Sequence, residues 1–180
     1  MKNILLVIDV QNGFINSSTE NTKNEIVDLL KSKIFDIIIA TKFINNNGSN
    51  FEKILKWNKL KDKKEQQIDN NVENYIDYII EKEGYSAYTN ELKNILKRVN
   101  GDKLPSKLYL VGFDTDGCVL ATAIDLFEAG IKPIILEKYC SSTGGEEYNK
   151  AGIRVLKRVV GEYNIVLEKN ITKEFIEKIE

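Results

Sequence analysis

Leu-Tyr-Leu-Val-Gly-Phe-Asp-Thr-Asp-Gly-Cys-Val-Leu-Ala-Thr-Ala-Ile-Asp-Leu-Phe-Glu-Ala-Gly, residues 108–130, decides how the chain folds. Leu108 to Val111 is apolar without a break and reads as a strand buried on both faces. Gly112 to Gly117 is a polar turn. From Cys118 the apolar positions recur at helical spacing until Gly130 stops them. This strand, turn and helix put a cysteine at the carboxyl end of a sheet, the edge where open α/β folds bind ligands. Free N–H groups and the dipole at a helix start favour a thiolate over a thiol there. Cys118 is therefore a candidate nucleophile.

Outward from this stretch the same alternation repeats. Apolar runs predict strands at 3–9, 34–40, 75–82, 107–112, 132–136 and 164–167. For 75–82, shortness and Tyr/Ile content favour strand over helix. Helical spacing predicts helices at 21–32, 89–99, 118–129, 146–160 and 172–179. Thr89 is the N-cap of the second, and Gly101 its stop. A short amphipathic helix is expected at 51–57, capped by Ser49 or Asn50. Residues 41–50 and 140–145 read as loops. Residues 58–71, rich in Lys, Asp, Gln and Asn, read as a solvated loop or lid. Strands alternating with helices at this spacing predict an α/β fold with a mainly parallel sheet covered on both faces. No repeat or linker divides the chain, so one domain over residues 1–180 is expected.

The 180 residues are 42% hydrophobic and 29% charged, a globular composition. A net charge of −1 without a basic run argues against a nucleic-acid or membrane partner. No apolar run approaches the ~20 residues of a spanning helix. Met1 leads straight into a strand pattern with no basic leader, so a cytoplasmic location is expected. The two cysteines are expected to be free thiols, with Cys140 a bystander. The absence of histidine decides more: it excludes Cys–His and Ser–His dyads and most catalytic zinc sites. A base must come from Asp, Glu, Lys, Tyr or an amine terminus.

Three residues fall at matching places. Asp9 ends the first strand, Lys82 the third, and Cys118 follows the fourth; strand ends of this kind share one edge of a parallel sheet. Cys118 would attack a carbonyl or imine carbon, Asp9 would take the thiol proton and pass it to a leaving amine, and Lys82 would hold the carboxylate. Backbone N–H groups at the turn, with that of Cys118, would form an oxyanion hole. Phe14, Phe43, Trp57, Tyr85 and Tyr88 are candidate pocket walls, Phe14 and Tyr88 foremost as substrate-binding residues. Asn12 and Asp114 are candidate polar contacts, and Asp116 a stabiliser of the helix start. Ser141 to Gly145 read equally as cleft lining or as the approach to a helix.

Asp9-Val-Gln-Asn-Gly-Phe14, Lys82-Glu-Gly-Tyr-Ser-Ala-Tyr88 and Gly112-Phe-Asp-Thr-Asp-Gly-Cys-Val119, followed by Thr122-Ala123, resemble the isochorismatase-like cysteine hydrolases, a group that includes nicotinamidases and N-carbamoyl amide hydrolases. The resemblance runs from Ile4 to about Val166. It implies a three-layer α/β/α fold with six strands, an Asp9–Lys82–Cys118 triad, and a cis peptide bond at Phe113–Asp114. It further implies that the Asp114 and Cys118 amides face the substrate oxygen, and that the protein is a dimer or tetramer. Nicotinamidases bind a metal through an Asp/His motif and a further histidine; here Asn45-Asn46-Asn47 stands in that loop, so no metal or other cofactor is expected. With Asp, Lys and Cys all present, the resemblance points to hydrolysis of a C–N bond in a small amide or ureido substrate through a thioester. A vinyl-ether-cleaving isochorismatase and a non-catalytic binding module are the alternatives.

Overall fold

The computed structural model describes residues 2–168 and 170–179. Six strands, β1 (Ile4–Ile8), β2 (Ile37–Phe43), β3 (Tyr78–Lys82), β4 (Lys107–Gly112), β5 (Lys132–Cys140) and β6 (Ile165–Val166), form one sheet in the order β3-β2-β1-β4-β5-β6. Every neighbouring pair is parallel. The chain moves outward from β1 to β3, then returns to β4 beside β1 and moves out the other way. The gap between the ends of β1 and β4 is thus the switch point, where such sheets hold ligands.

All five residues of β1 are buried because the strand faces two cores. Leu5 and Val7 join the core formed with α1 (Glu20–Lys31), including Ile26, Leu29 and Leu30. Ile4, Leu6 and Ile8 join the core formed with α5 (Asn90–Val99), α6 (Leu120–Glu128) and α7 (Glu146–Val159). The two-residue period of a strand makes this split. A last helix, α8 (Lys173–Lys178), sends Ile176 into the first core. None of the helices among the described residues is long and apolar enough to cross a membrane.

Several boundaries differ from the sequence expectation. β2 begins later than residue 34 and runs on to Phe43, through the polar Thr41 and Lys42. Thr41 stays buried inside the strand because Asp9 satisfies its hydroxyl. β5 continues past Leu136, so Cys140 ends a strand instead of opening a loop. The helix expected at 51–57 is a single turn, α2 (Asn50–Lys53), capped by Ser49, whose hydroxyl accepts from the Glu52 N–H at 3.1 Å.

The largest correction concerns 58–71, which is no solvated lid. It forms two one-turn helices, α3 (Lys63–Gln66) and α4 (Asn70–Glu73), capped by Asp62 and Asp69. Leu60, Ile68 and Val72 anchor it in the core. Three well-spaced apolar side chains among many polar ones leave no period to read, yet suffice to dock the segment.

Two glycines seat the nucleophile turn. Gly112 has φ of 120°, and a Cβ there would lie 2.1 Å from the Ile8 carbonyl oxygen. At Gly152 a Cβ would lie 2.7 Å from the Asp116 backbone nitrogen, so α7 packs directly on the turn before Cys118. Between β4 and α6 the chain makes a π-helical turn, Thr115–Val119, and Cys118 lies within it rather than opening α6.

Candidate active site

The site is assembled from three strand ends. Asp9 leaves β1 with φ of 53°, a left-handed conformation uncommon outside glycine. Its surroundings hold it: the Asp9 N–H donates to Thr41 Oγ1 at 3.0 Å, and the Thr41 hydroxyl donates to Asp9 Oδ1 at 2.5 Å. Lys82 closes β3 in register with Phe43. Its Nζ lies 2.8 Å from Asp9 Oδ2, with both side chains fully buried. The same ammonium donates to the Gly84 and Tyr85 carbonyls at 2.9 and 3.0 Å and to Cys118 Sγ at 3.4 Å. Asp9, Lys82 and Cys118, distant in sequence, therefore meet at one point.

The electrostatics correct one expectation. Burial is the main force on the Cys118 thiol and pushes it well above its ordinary range. The Asp9 charge and a hydrogen bond to Asp9 add to this, and Lys82 opposes it. Burial, and after it the neighbouring Asp9 carboxylate, thus favour the thiol over the thiolate that a helix start would favour. Burial alone would draw Lys82 down, but Asp9 and Cys118 outweigh it and hold the ammonium above its usual range. Asp9 Oδ2, although ion-paired, accepts no well-directed hydrogen bond among the described residues, which leaves it open to a thiol proton.

Cys118 is 7% exposed, and its sulfur faces a cavity of about 140 Å³. Five rings, Phe14, Phe43, Phe51, Trp57 and Tyr85, form most of the wall with Leu55; Asp114, Gly117, Cys118 and Thr143 complete it. The rings support one another. Phe14 and Trp57 are near-parallel with centroids 6.0 Å apart, Phe51 meets Phe43 edge-on at 4.8 Å, and Phe51 lies 4.9 Å from Tyr85. The Asp114 carboxylate accepts from the Thr143 N–H and hydroxyl, both at 2.7 Å. Burial, reinforced by Asp116 and Asp9, pushes Asp114 up to about 6 against the pull of Thr143. The Phe113–Asp114 peptide bond is cis, as the resemblance implied.

Phe14, Phe43, Trp57 and Tyr85 line the cavity as expected, and the 141–145 segment does both things it was read for: Thr143 lines the cavity and Gly145 is the N-cap of α7. Tyr88 is not among the lining residues. Its ring packs on the helical core with the Lys93 ammonium 4.4 Å from its centroid, because the chain turns at Ala87 into α5. Asn12 donates to the Lys64 carbonyl and is likewise not in the lining. Cys140 is fully enclosed, with the Leu110 carbonyl 3.9 Å from its sulfur.

Sequence reasoning missed Thr41, Gln11, Phe51 and Leu55. Gln11, buried, donates to the Phe43 and Gln66 carbonyls at 3.0 and 2.8 Å and accepts from the Phe43 N–H at 2.8 Å. It thereby ties the end of β1 to β2 and to the 58–71 segment. The glutamine two residues after Asp9 was the available signal.

The metal suggested by nicotinamidase resemblance finds no fitting donors. The Asn45 amide donates to the Trp57 and Lys59 carbonyls at 3.2 and 2.8 Å, Asn46 donates to Glu83, and Asn47 accepts from Lys61. These amides hold the loop together. Among the described residues no group of three or more Cys, Asp or Glu side chains could hold an ion.

The isochorismatase domain matches residues 3–164 of this chain. The chain belongs to the isochorismatase family. Isochorismatase family protein 2A of Dictyostelium discoideum is 26% identical over 162 residues, covering 86% of this chain and 73% of that protein. Solved structures share the fold of this isochorismatase-family chain. An isochorismatase-like hydrolase from Alkaliphilus metalliredigens superposes with a TM-score of 0.76 at 20% identity, covering 89% of this chain and 93% of that one. The nicotinamidase of Bacillus subtilis gives 0.72 at 21%, covering 89% and 97%. N-carbamoylsarcosine amidase of Thermoplasma acidophilum gives 0.68 at 21%, covering 89% and 94%.

Proposed function

We propose that the protein is a cysteine hydrolase that cleaves a C–N bond of a small amide or ureido substrate through a thioester, with Asp9, Lys82 and Cys118 as its catalytic residues. One observation carries this reading: Lys82 Nζ bridges Asp9 Oδ2 at 2.8 Å and Cys118 Sγ at 3.4 Å, and Cys118 lines an aromatic cavity. In that arrangement the Cys118 sulfur attacks the carbonyl carbon while its proton passes to Asp9. The Asp114 and Cys118 backbone N–H groups receive the oxyanion. The C–N bond then breaks, the protonated Asp9 gives its proton to the leaving nitrogen, and ammonia or an amine departs. Water attacks the thioester with its proton going to Asp9, the C–S bond breaks, and the proton returns to sulfur. The products are a carboxylic or carbamic acid and an amine. Lys82 holds the Asp9 carboxylate in place and stabilises sulfur as negative charge develops.

The relatives named nicotinamidase and N-carbamoylsarcosine amidase support this chemistry, as does the absence of any histidine to run another. A homodimer or homotetramer acting on a small molecule in the cytoplasm completes the proposal. The experiment is ammonia release across small amides and N-carbamoyl compounds with Cys118→Ala as the blank. Ammonia from the wild type alone supports the proposal. Ammonia released equally by Cys118→Ala contradicts it.

A further inference from the structure

The cavity over Cys118 has a charge pattern that amide hydrolysis alone does not require. Among the described residues Asp114 is the one carboxylate in its lining, and no lysine or arginine is there. The Lys82 ammonium below is already held by Asp9, Cys118 and two carbonyls, so it is not free to receive an anionic group. The faces of aromatic rings carry negative potential and attract cations. Phe43 already does so, with Lys82 Nζ 5.1 Å from its centroid. Burial holds the Tyr85 hydroxyl proton more tightly than usual, and the nearby Asp116 and Asp114 carboxylates add to it.

These features rank the occupants. An anion would meet repulsion from Asp114 and from the ring faces. A hydrocarbon would strip water from the Asp114 carboxylate and return nothing. A cation would compensate the carboxylate and lie on the rings. We propose that the substrate is a small carboxamide carrying an ammonium group, seated in an aromatic cage of Phe51, Trp57 and Tyr85 that Asp114 closes. This rests on the amide-hydrolase function above and names its substrate class. The cavity, at about 140 Å³, is close to the ~150 Å³ that accommodates one benzene-sized molecule, so one or two carbons separate the ammonium from the carboxamide. Hydrolysis follows the same balanced steps, with water the only co-reactant.

The test uses trimethylammonioacetamide and its uncharged carbon isostere 3,3-dimethylbutanamide, which share a shape and differ in charge; N-carbamoylglycine is the anionic comparison. Trp57 is the chain's only tryptophan and lines the cavity, so its fluorescence reports binding to the Cys118→Ala protein. The cationic amide is expected to bind at least about tenfold tighter than its isostere. The preference should shrink in Asp114→Asn, and in the parent as pH falls from 8 to 5 and Asp114 takes a proton. Equal or tighter binding of the isostere or of N-carbamoylglycine overturns the cage. Preferential binding of the cation with no ammonia released by the wild-type protein upholds the cage and overturns the hydrolase function. Ammonia released equally from the neutral or anionic compound does the reverse.

Discussion

The two cysteines stand at the carboxyl ends of neighbouring strands, and both are buried thiols. Burial pushes Cys140 up to about 12, and burial likewise raises Cys118. Neither is set apart by acidity. The difference lies in what touches each sulfur. Cys140 has a backbone carbonyl at 3.9 Å. Cys118 has a lysine ammonium at 3.4 Å, a buried carboxylate with an open lone pair, and a cavity. A thiol becomes a nucleophile here through a place for its proton and a place for its target, not by losing the proton beforehand.

The widest separation between the two should come from replacing each sulfur. Cys118→Ala is expected to lower kcat by on the order of 10⁴-fold or more, in the range seen when a catalytic nucleophile is removed. Cys140→Ala should change kcat by less than about threefold and cost ~1–2 kcal/mol of stability, the loss of one small buried group. Steady-state ammonia release and thermal unfolding check both. Comparable loss of activity in the two variants would erase the distinction.

Next comes the proton acceptor. Asp9→Asn should lower kcat by about 10²–10⁴-fold, the contribution of a positioned general base. It also leaves Lys82 buried without its counter-charge, costing about 3–5 kcal/mol. Urea unfolding separates the two effects, since activity is measured where the variant is folded. Unchanged kcat with lowered stability would reduce Asp9 to a structural partner. A smaller effect is expected from Thr41→Val, which leaves the Asp9 N–H and Oδ1 buried without their shared partner. Such orphaned groups cost ~1–3 kcal/mol. A fall in kcat of about tenfold should accompany this, as general-base efficiency depends on placement.

The smallest effect concerns pH. Asp114 is pushed up to about 6 from an ordinary 3.8. The folded carboxyl holds its proton more tightly than the unfolded one, so the native state loses stability as pH rises from about 4 to about 6. Asp114→Asn should therefore gain stability on the parent across that window, by on the order of 1 kcal/mol, with no gain at pH 4. The gain is limited because an amide accepts from only one of the two Thr143 donors. Thermal unfolding from pH 4 to 8 reads it.

Legibility in the sequence followed the same contrast. Strands β1 and β4 were plain because both faces are buried and every residue after Lys107 in β4, like all of β1, is uncharged and mostly aliphatic. Their ends located Asp9 and Cys118, and the strand-end rule added Lys82. The continuation of β2 through Thr41 and Lys42 was hidden, since a buried threonine looks like the start of a loop until Asp9 is seen to satisfy it. The anchors Leu60, Ile68 and Val72 have no period. Tyr88 was misplaced because its neighbours Lys82 and Tyr85 reach the site while the chain turns away at Ala87. The thiolate expectation treated Cys118 as a helix start, whereas desolvation and Asp9 depend on packing that no single stretch carries.

The central claim, that Asp9 activates a resting thiol at Cys118, is tested most directly by alkylation. The protein is treated with iodoacetamide near neutral pH and the modified peptides are followed by mass. The account predicts labelling of Cys118 at least about tenfold faster than of Cys140, reflecting access and a positioned base, with the Cys118 rate falling in Asp9→Asn while the Cys140 rate stays as it was. Equal, slow labelling of both cysteines, or a Cys118 rate that is undiminished in Asp9→Asn, would contradict it.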